Sequence, residues 1–277
     1  MSLVLKRDCV CVRWTFSQIR LRCIFLSMDK LLQGKIALVT GSSRGLGKSI
    51  VSLLKESGAS GLGVDQTENS EKFPEDWLFH RGDVSDEECL SEAIARIDRQ
   101  YDRLDIVVAN AGVVPPWNHP EDLDIAEWDR VFGVNVRGVA ITMKHAVPLM
   151  KKSGGSIILM GSLASHRGYA GQMLYTATKH AVLGIVRASA LDLGPHNIRV
   201  NAIGPGPIAT DALMTRITSR SEHGGSSPLK ALADLESETA LGRIATENEV
   251  AKTALFLASE LSSGITGQIV PVDAGIL

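Results

Sequence analysis

From residue 35 onward, short apolar runs alternate with amphipathic stretches. Ile36-Ala37-Leu38-Val39 reads as a buried strand. After a glycine-rich turn, Leu46, Ile50, Leu53 and Leu54 recur at helical spacing until Gly58 ends the pattern. Leu62 to Val64 predicts a second strand, and Trp77 to His80 a weaker third beyond a loop with Pro74. Ser85-Asp86-Glu87-Glu88 has the form of a capping box, with Ser85 as N-cap, and Leu90, Ile94, Ile97 and Tyr101 then trace one helical face. A strand follows at Ile106 to Ala109, then a long helix from about Ala126 to Lys152 and a strand at Ile157 to Met160. A helix from Gln172 to Leu193, a strand at Ile198 to Ile203, a helix at Glu247 to Ala258 and a strand at Gln268 to Val272 complete the pattern. Pro271 points to an edge or a strand end. Pro207 to Glu238 is poorly patterned and reads as a long loop, a kind of segment that usually serves function.

Continuous apolar strands separated by helices imply a parallel sheet covered on both faces. Right-handed crossovers then favour a doubly wound α/β fold, three layers thick, with about seven strands. The 277 residues suit one such domain over 28–277, with 207–238 as a substrate lid. The 29 basic and 31 acidic residues nearly balance, which argues against nucleic acid or an anionic membrane as partner. The apolar runs fall short of the ~20 residues a membrane span needs. Cys9, Cys11, Cys23 and Cys89 form no CxxC pair, and no histidine has metal-ligand spacing, so free thiols and no metal are expected. Residues 1–27 differ, with Lys6, Arg7, Arg13, Arg20 and Arg22 against the single acid Asp8. They read as an extension ahead of a natural start at Met28, or as an Arg-rich transit peptide. The first reading implies a cytoplasmic protein, the second an organellar one.

The first strand runs into Thr40-Gly41-Ser42-Ser43-Arg44-Gly45-Leu46-Gly47 and then a helix. One glycine turns tightly out of the strand, another lets backbone approach a pyrophosphate, and a third lets helix pack on sheet. The helix N-terminus offers free N–H groups to phosphates. Between a strand and a helix, this is the context of a Rossmann-type dinucleotide site. Asp65 ends the second strand, 18 residues after Gly47, where an acid accepts hydrogen bonds from the adenosine ribose. It would also repel a 2′-phosphate, by about 4 kcal/mol at ~4 Å and an effective dielectric near 20. NAD is therefore favoured over NADP, although Arg44 could pair with a 2′-phosphate.

Ser162 follows the strand ending at Met160, and Tyr175 comes 13 residues later. Tyr175 and Lys179 lie four apart, one turn along a helix face. A phenol with a reference pKa near 10 is a poor base, but a neighbouring ammonium favours its phenolate. Such a tyrosine can exchange a proton with an alcohol or ketone, while Ser162 hydrogen-bonds the same oxygen.

With these motifs the sequence resembles the short, single-domain branch of the short-chain dehydrogenase/reductase family over about residues 34–273. The match rests on Thr40, Gly41, Gly45 and Gly47, on Asn110-Ala111-Gly112, on Asn135, on Ser162, Tyr175 and Lys179, and on Pro205-Gly206. The resemblance implies an NAD(P)-dependent exchange of hydride between a secondary alcohol and a ketone. It implies small polyol, sugar-acid or 3-oxoacyl substrates without choosing among them. It further implies that Asn135 holds a water relaying protons to Lys179, and that Lys179 also binds the nicotinamide ribose. Asp83 and Val84 should flank the adenine, Asn110 and Gly112 should line the cofactor cleft, and Ile208 and Thr210 should meet the carboxamide. Gly206 should admit a flat ring. A homo-oligomer, tetramer or dimer, is implied as well. The alternative of a catalytically silent cofactor-binding regulator is disfavoured because Ser162, Tyr175 and Lys179 are all present. An extended-branch epimerase or dehydratase would need a larger C-terminal domain. One departure stands out: where the family often ends Val-Asp-Gly-Gly, this chain has Val272-Asp273-Ala274-Gly275.

Overall fold

The computed structural model describes residues 31–67, 77–222 and 225–276. The reading of residues 1–27 lies outside them. Seven parallel strands form one sheet in the order β3-β2-β1-β4-β5-β6-β7. They are β1 (Ile36–Thr40), β2 (Ser60–Asp65), β3 (Trp77–Arg81), β4 (Ile106–Ala109), β5 (Gly155–Met160), β6 (Ile198–Pro205) and β7 (Ile269–Val272). β1 lies between β2 and β4, with Leu38 in register with Leu62 on one side and Val107 on the other. Its every side chain is buried, which is why this stretch shows no polar alternation.

Helices cover both faces, as expected of a doubly wound sheet. α2 (Glu87–Tyr101), α4 (Gly138–Met150) and α5 (Met173–Leu193) bury Ile94, Ile97, Val139, Met143, Val182 and Val186 in one core. On the other face α1 (Gly45–Glu56) and α8 (Glu247–Ala258) bury Ile50, Leu54, Val250, Ala254 and Leu257. Asp105, 3% exposed, ties strand starts together: its carboxylate accepts from Ile36 N (2.9 Å) and from Arg103 Nε (3.0 Å). β7 is an edge strand, so Pro271 withholds an N–H that no other strand needs. No described helix is long and apolar enough to cross a membrane, and no described group of His, Cys, Asp and Glu could hold a metal.

Three expectations change. The N-cap of α2 is Asp86, which accepts from Glu88 N at 3.0 Å, whereas Ser85 donates its hydroxyl to Asp83 Oδ1. Both residues are good caps, and the Asp83 carboxylate captures the serine. The long helix expected over 126–152 is interrupted: α3 (Ile125–Phe132) passes through a π-helical turn at Gly133–Arg137 before α4. The segment 207–238 is not a loop. It folds into α6 (Asp211–Glu222) and α7 (Pro228–Ser237), with Leu213 and Ile217 buried beside Ile244 in a small core of their own.

Ala274 sits at φ +57°, in the left-handed region. There it lets Leu241 N reach Ala274 O (3.1 Å) and Ala240 N reach Gly275 O (2.8 Å), fastening the chain just beyond α7. A Cβ in this conformation costs about 1–2 kcal/mol, of which glycine returns part through its looser unfolded state. Ala274→Gly should therefore stabilise the protein by about 0.5–1 kcal/mol, seen as a Tm rise of about 1–4 °C. An unchanged or lower Tm would mean that this turn is not strained.

Candidate functional site

Every candidate site residue lies at or beyond the carboxyl end of a strand. The crevice opens where the strand order reverses, at β1 and its neighbours, which is where doubly wound sheets bind ligands. At the first turn Gly41 (φ +65°) and Gly45 (φ +53°) take left-handed conformations. Gly47 is needed for space: a Cβ there would lie 1.9 Å from Gly41 O. Asn110 Nδ2 donates to Thr40 O and Gly41 O, both at 3.0 Å, and Thr40 Oγ1 accepts from Ala111 N at 3.1 Å. Thus Asn110 shapes the turn from the β4 side. The sequence assigns Thr40 no role beyond its place in the motif, although the Thr-Gly pairing at the strand end is the signal for this contact. Arg44 is exposed at the N-cap of α1, and Leu46 is partly buried beneath the turn.

Asp65 stands at the end of β2, where its carboxylate accepts from Ser43 N (2.9 Å) and Thr67 N (3.2 Å). It is an acceptor facing the glycine turn, as a ribose contact requires. Asp83 spends one carboxylate oxygen on Ser85 and the other on Gln66 Nε2 (2.8 Å). Val84 is 7% exposed, and the missing side chain of Gly138 makes room for it. Only its backbone is left to meet an adenine, because the side chain is part of the core.

Ser162, Tyr175, Lys179 and Asn135 converge from separate parts of the chain. Ser162 is the extended residue after β5; its Oγ accepts from Ala164 N (3.2 Å), leaving the hydroxyl proton to donate. Lys179 is 5% exposed, and its Nζ donates to Met160 O (2.8 Å) and lies 5.5 Å from the centre of the Tyr175 ring. Burial lowers its pKa to about 8, so it remains mostly charged at neutral pH. Asn135 sits in the π-helical turn, 1% exposed. Its Oδ1 accepts from Val113 N (2.8 Å), and its Nδ2 donates to Val113 O (2.9 Å) and toward Thr178 Oγ1 (3.3 Å). The side-chain amide thus clamps the loop after β4 onto α5. A π-helical turn leaves backbone groups out of the regular ladder, so any relay through Asn135 falls to its backbone. Gly112 lies alongside, where a Cβ would stand 3.3 Å from Asn135 Oδ1 and 3.9 Å from Lys179 Nζ.

After β6, Pro205 ends the strand and Gly206 N donates to Val272 O (3.0 Å). Gly206 has a different reason to lack a side chain than the one expected: a Cβ would approach Asp273 Cβ to 2.7 Å. Ile208 is 6% exposed in the α1/α8 core and bridged to Ala245, so only its backbone is open to a carboxamide. In that core it anchors the segment that leads into α6. Thr210 caps α6, accepting from Leu213 N at 3.1 Å.

The cleft suits a dinucleotide. Ser43 Oγ is buried beside the glycine turn with no hydrogen-bond partner among the described residues, as expected of a group that awaits a phosphate or ribose oxygen. The start of α1, its residue Gly47 pressed onto Gly41, presents backbone N–H groups at the same place.

Residues 41–277 match the family profile described as enoyl-(acyl carrier protein) reductase. The chain is 34% identical to short-chain dehydrogenase reductase 4 of Arabidopsis thaliana over 98% of its own length and 92% of that protein's. It is 37% identical to (+)-borneol dehydrogenase 2 of Salvia officinalis, over 90% of this chain and 91% of the relative. Carveol dehydrogenase from Mycobacterium avium, solved in complex with NAD, superposes with a TM-score of 0.81 at 31% identity, covering 89% of this chain and 98% of that one.

Proposed function

This chain belongs to the short-chain dehydrogenase/reductase family of oxidoreductases, and we propose that it interconverts a secondary alcohol and a ketone with NAD(H), using Tyr175 as the acid–base group. The observation carrying this reading is the buried Lys179, its ammonium 5.5 Å from the Tyr175 ring. A charge so placed favours phenolate and lets Tyr175 take a proton from a carbinol oxygen at neutral pH. Ser162 Oγ, its own proton free, donates to that oxygen and holds it in place. In the reductive direction Tyr175 returns the proton, and Lys179 supports the phenolate left behind. A bound nicotinamide would supply the hydride acceptor or donor. The Gly41–Gly47 turn and Ser43 would hold its phosphates, Asp65 the adenosine ribose and Lys179 the nicotinamide ribose.

A ring-borne secondary alcohol is the substrate class we favour, because borneol, carveol and trans-4-hydroxycyclohexanecarboxylate dehydrogenases are among the similar proteins; a 3-oxoacyl-carrier-protein reductase and an aldohexose dehydrogenase are similar as well. Asp65 supports NAD, since a 2′-phosphate would meet its carboxylate beside Ser43. Fluorescence titration should therefore find NADH bound at least about 100-fold more tightly than NADPH, within the roughly 4 kcal/mol available. Asp65→Ala should shrink that ratio to about tenfold or less. Tighter binding of NADPH by the wild-type protein would overturn the assignment and leave Arg44 as the selecting residue. A turnover screen of cyclic and acyclic alcohols with NAD then tests the reaction itself.

A further inference from the structure

A groove lined in part by Tyr175 lies between the loop after β4 and the starts of α3 and α5. Pro115, Pro116, Leu123 and Met173 supply apolar walls. Its lining carries two carboxylates, Asp124 and Glu127, and one imidazole, His119, but neither lysine nor arginine. The two acids differ. Glu127 is forked onto Arg130, with both contacts at 2.7 Å, so its charge is largely answered. Asp124 accepts from Ala126 N (2.9 Å) at the head of α3 and has no cationic partner among the described residues. Glu121, Asp122 and Asp129 lie on the same stretch and add to the negative field.

We infer that this groove holds the body of the substrate and that Asp124 makes it a charge filter, so that the substrate is an apolar, uncharged ring alcohol. The inference rests on the ring-alcohol reading above and deepens it. Apolar walls gain from a hydrocarbon ring, while a carboxylate in the same groove without a cationic partner among the described residues raises the cost of a second anion. An alcohol bearing a carboxylate on its ring would bring that anion. At roughly 8 Å and a partly solvated dielectric of about 40, one such repulsion is worth about five- to tenfold.

The matched probes are trans-4-hydroxycyclohexanecarboxylate and its carboxamide, equal in shape and differing in charge. With NAD, kcat/KM for the amide should exceed that for the acid by about fivefold or more. Asp124→Asn keeps the helix cap, since both residues cap well. It should raise kcat/KM for the acid severalfold and leave the amide within twofold. Binding is measured separately, by competition of cyclohexanecarboxylate and cyclohexanecarboxamide in the NADH complex. There the amide should bind more tightly, and Asp124→Asn should close the gap. Equal binding of acid and amide to the wild type, or a change in Asp124→Asn that moves both alike, would overturn the charge filter. Absence of turnover on either alcohol would instead sink the ring-alcohol reading, with the binding ratio still deciding the filter.

Discussion

Tyr175→Phe should lower kcat by about a thousandfold while NADH binds within about twofold of wild type. The substitution removes one oxygen and leaves the ring, so the packing of Lys179 Nζ 5.5 Å from the ring centre survives. What disappears is the group proposed to exchange a proton with the carbinol oxygen, and no other residue of the cluster is placed to replace it. Ser162 is an unactivated hydroxyl, and Lys179 is turned toward Met160 O at 2.8 Å. General acid–base groups contribute roughly 10²–10⁴-fold, and the upper half of that range applies where the substitute is water alone. The checks are steady-state turnover with an accepted alcohol and cofactor fluorescence in the same preparation. Activity above about a tenth of wild type with binding intact would remove Tyr175 from the chemistry. The pH dependence adds a sign. Burial holds Lys179 at about 8, so its charge fades as pH rises through 8 in the free protein and with it the support for the phenolate.

Gly47→Ala is the second large effect, and it acts on the cofactor. The added methyl would lie 1.9 Å from Gly41 O and 2.6 Å from Asn110 Nδ2. Both are fixed groups: Gly41 is backbone, and Asn110 is tied to Thr40 O and Gly41 O. α1 would have to lift off the turn, opening the junction that presents its N-terminal N–H groups. Overpacking of this kind costs about 3 kcal/mol, and NADH affinity should fall by at least about 100-fold, or about 3 kcal/mol of lost phosphate contacts. Gly45→Ala separates strain from space. Gly45, unlike Gly47, is left-handed, at φ +53°, but the nearest atom to its Cβ is Glu247 Oε1 at 3.9 Å. It should cost only the left-handed penalty of about 1–2 kcal/mol. NADH titration and thermal unfolding of the two variants would show the difference. Wild-type binding by Gly47→Ala would mean that the turn repacks freely.

The parts of this molecule legible in its sequence are those where a single local rule decides. β1 and β4 are unbroken apolar runs because both faces of the sheet are covered. The Gly41–Gly47 turn and the Tyr175–Lys179 pair are short, sequence-local constellations whose spacing alone brings their residues together. Where two rules compete, the sequence is less clear. Ser85 and Asp86 are equally good caps, and only Asp83, folded beside them, selects between them. The π-helical turn at Gly133–Arg137 keeps helical apolar spacing on either side, so nothing local reveals that Asn135 is turned toward Val113. α6 and α7 escape a reading by pattern because their apolar residues serve a small private core with Ile244. The crowding of Gly206 by Asp273 is a contact between distant segments, invisible to any window along the chain.

The central position of β1 has a consequence for how the protein is made. Its N–H at Ile36 is answered by a carboxylate 69 residues further on, and Ala37 pairs with Ile106. At about 5–20 residues per second, a ribosome needs on the order of several seconds to cover that distance. During this interval β1 and β2 can pair, yet one edge of an entirely buried strand stays bare. A bare edge of this kind invites pairing with other chains, and long-range parallel pairing is slow to close it. A chaperone that shields nascent strands should therefore raise the soluble yield, and slower synthesis across this stretch should lower it.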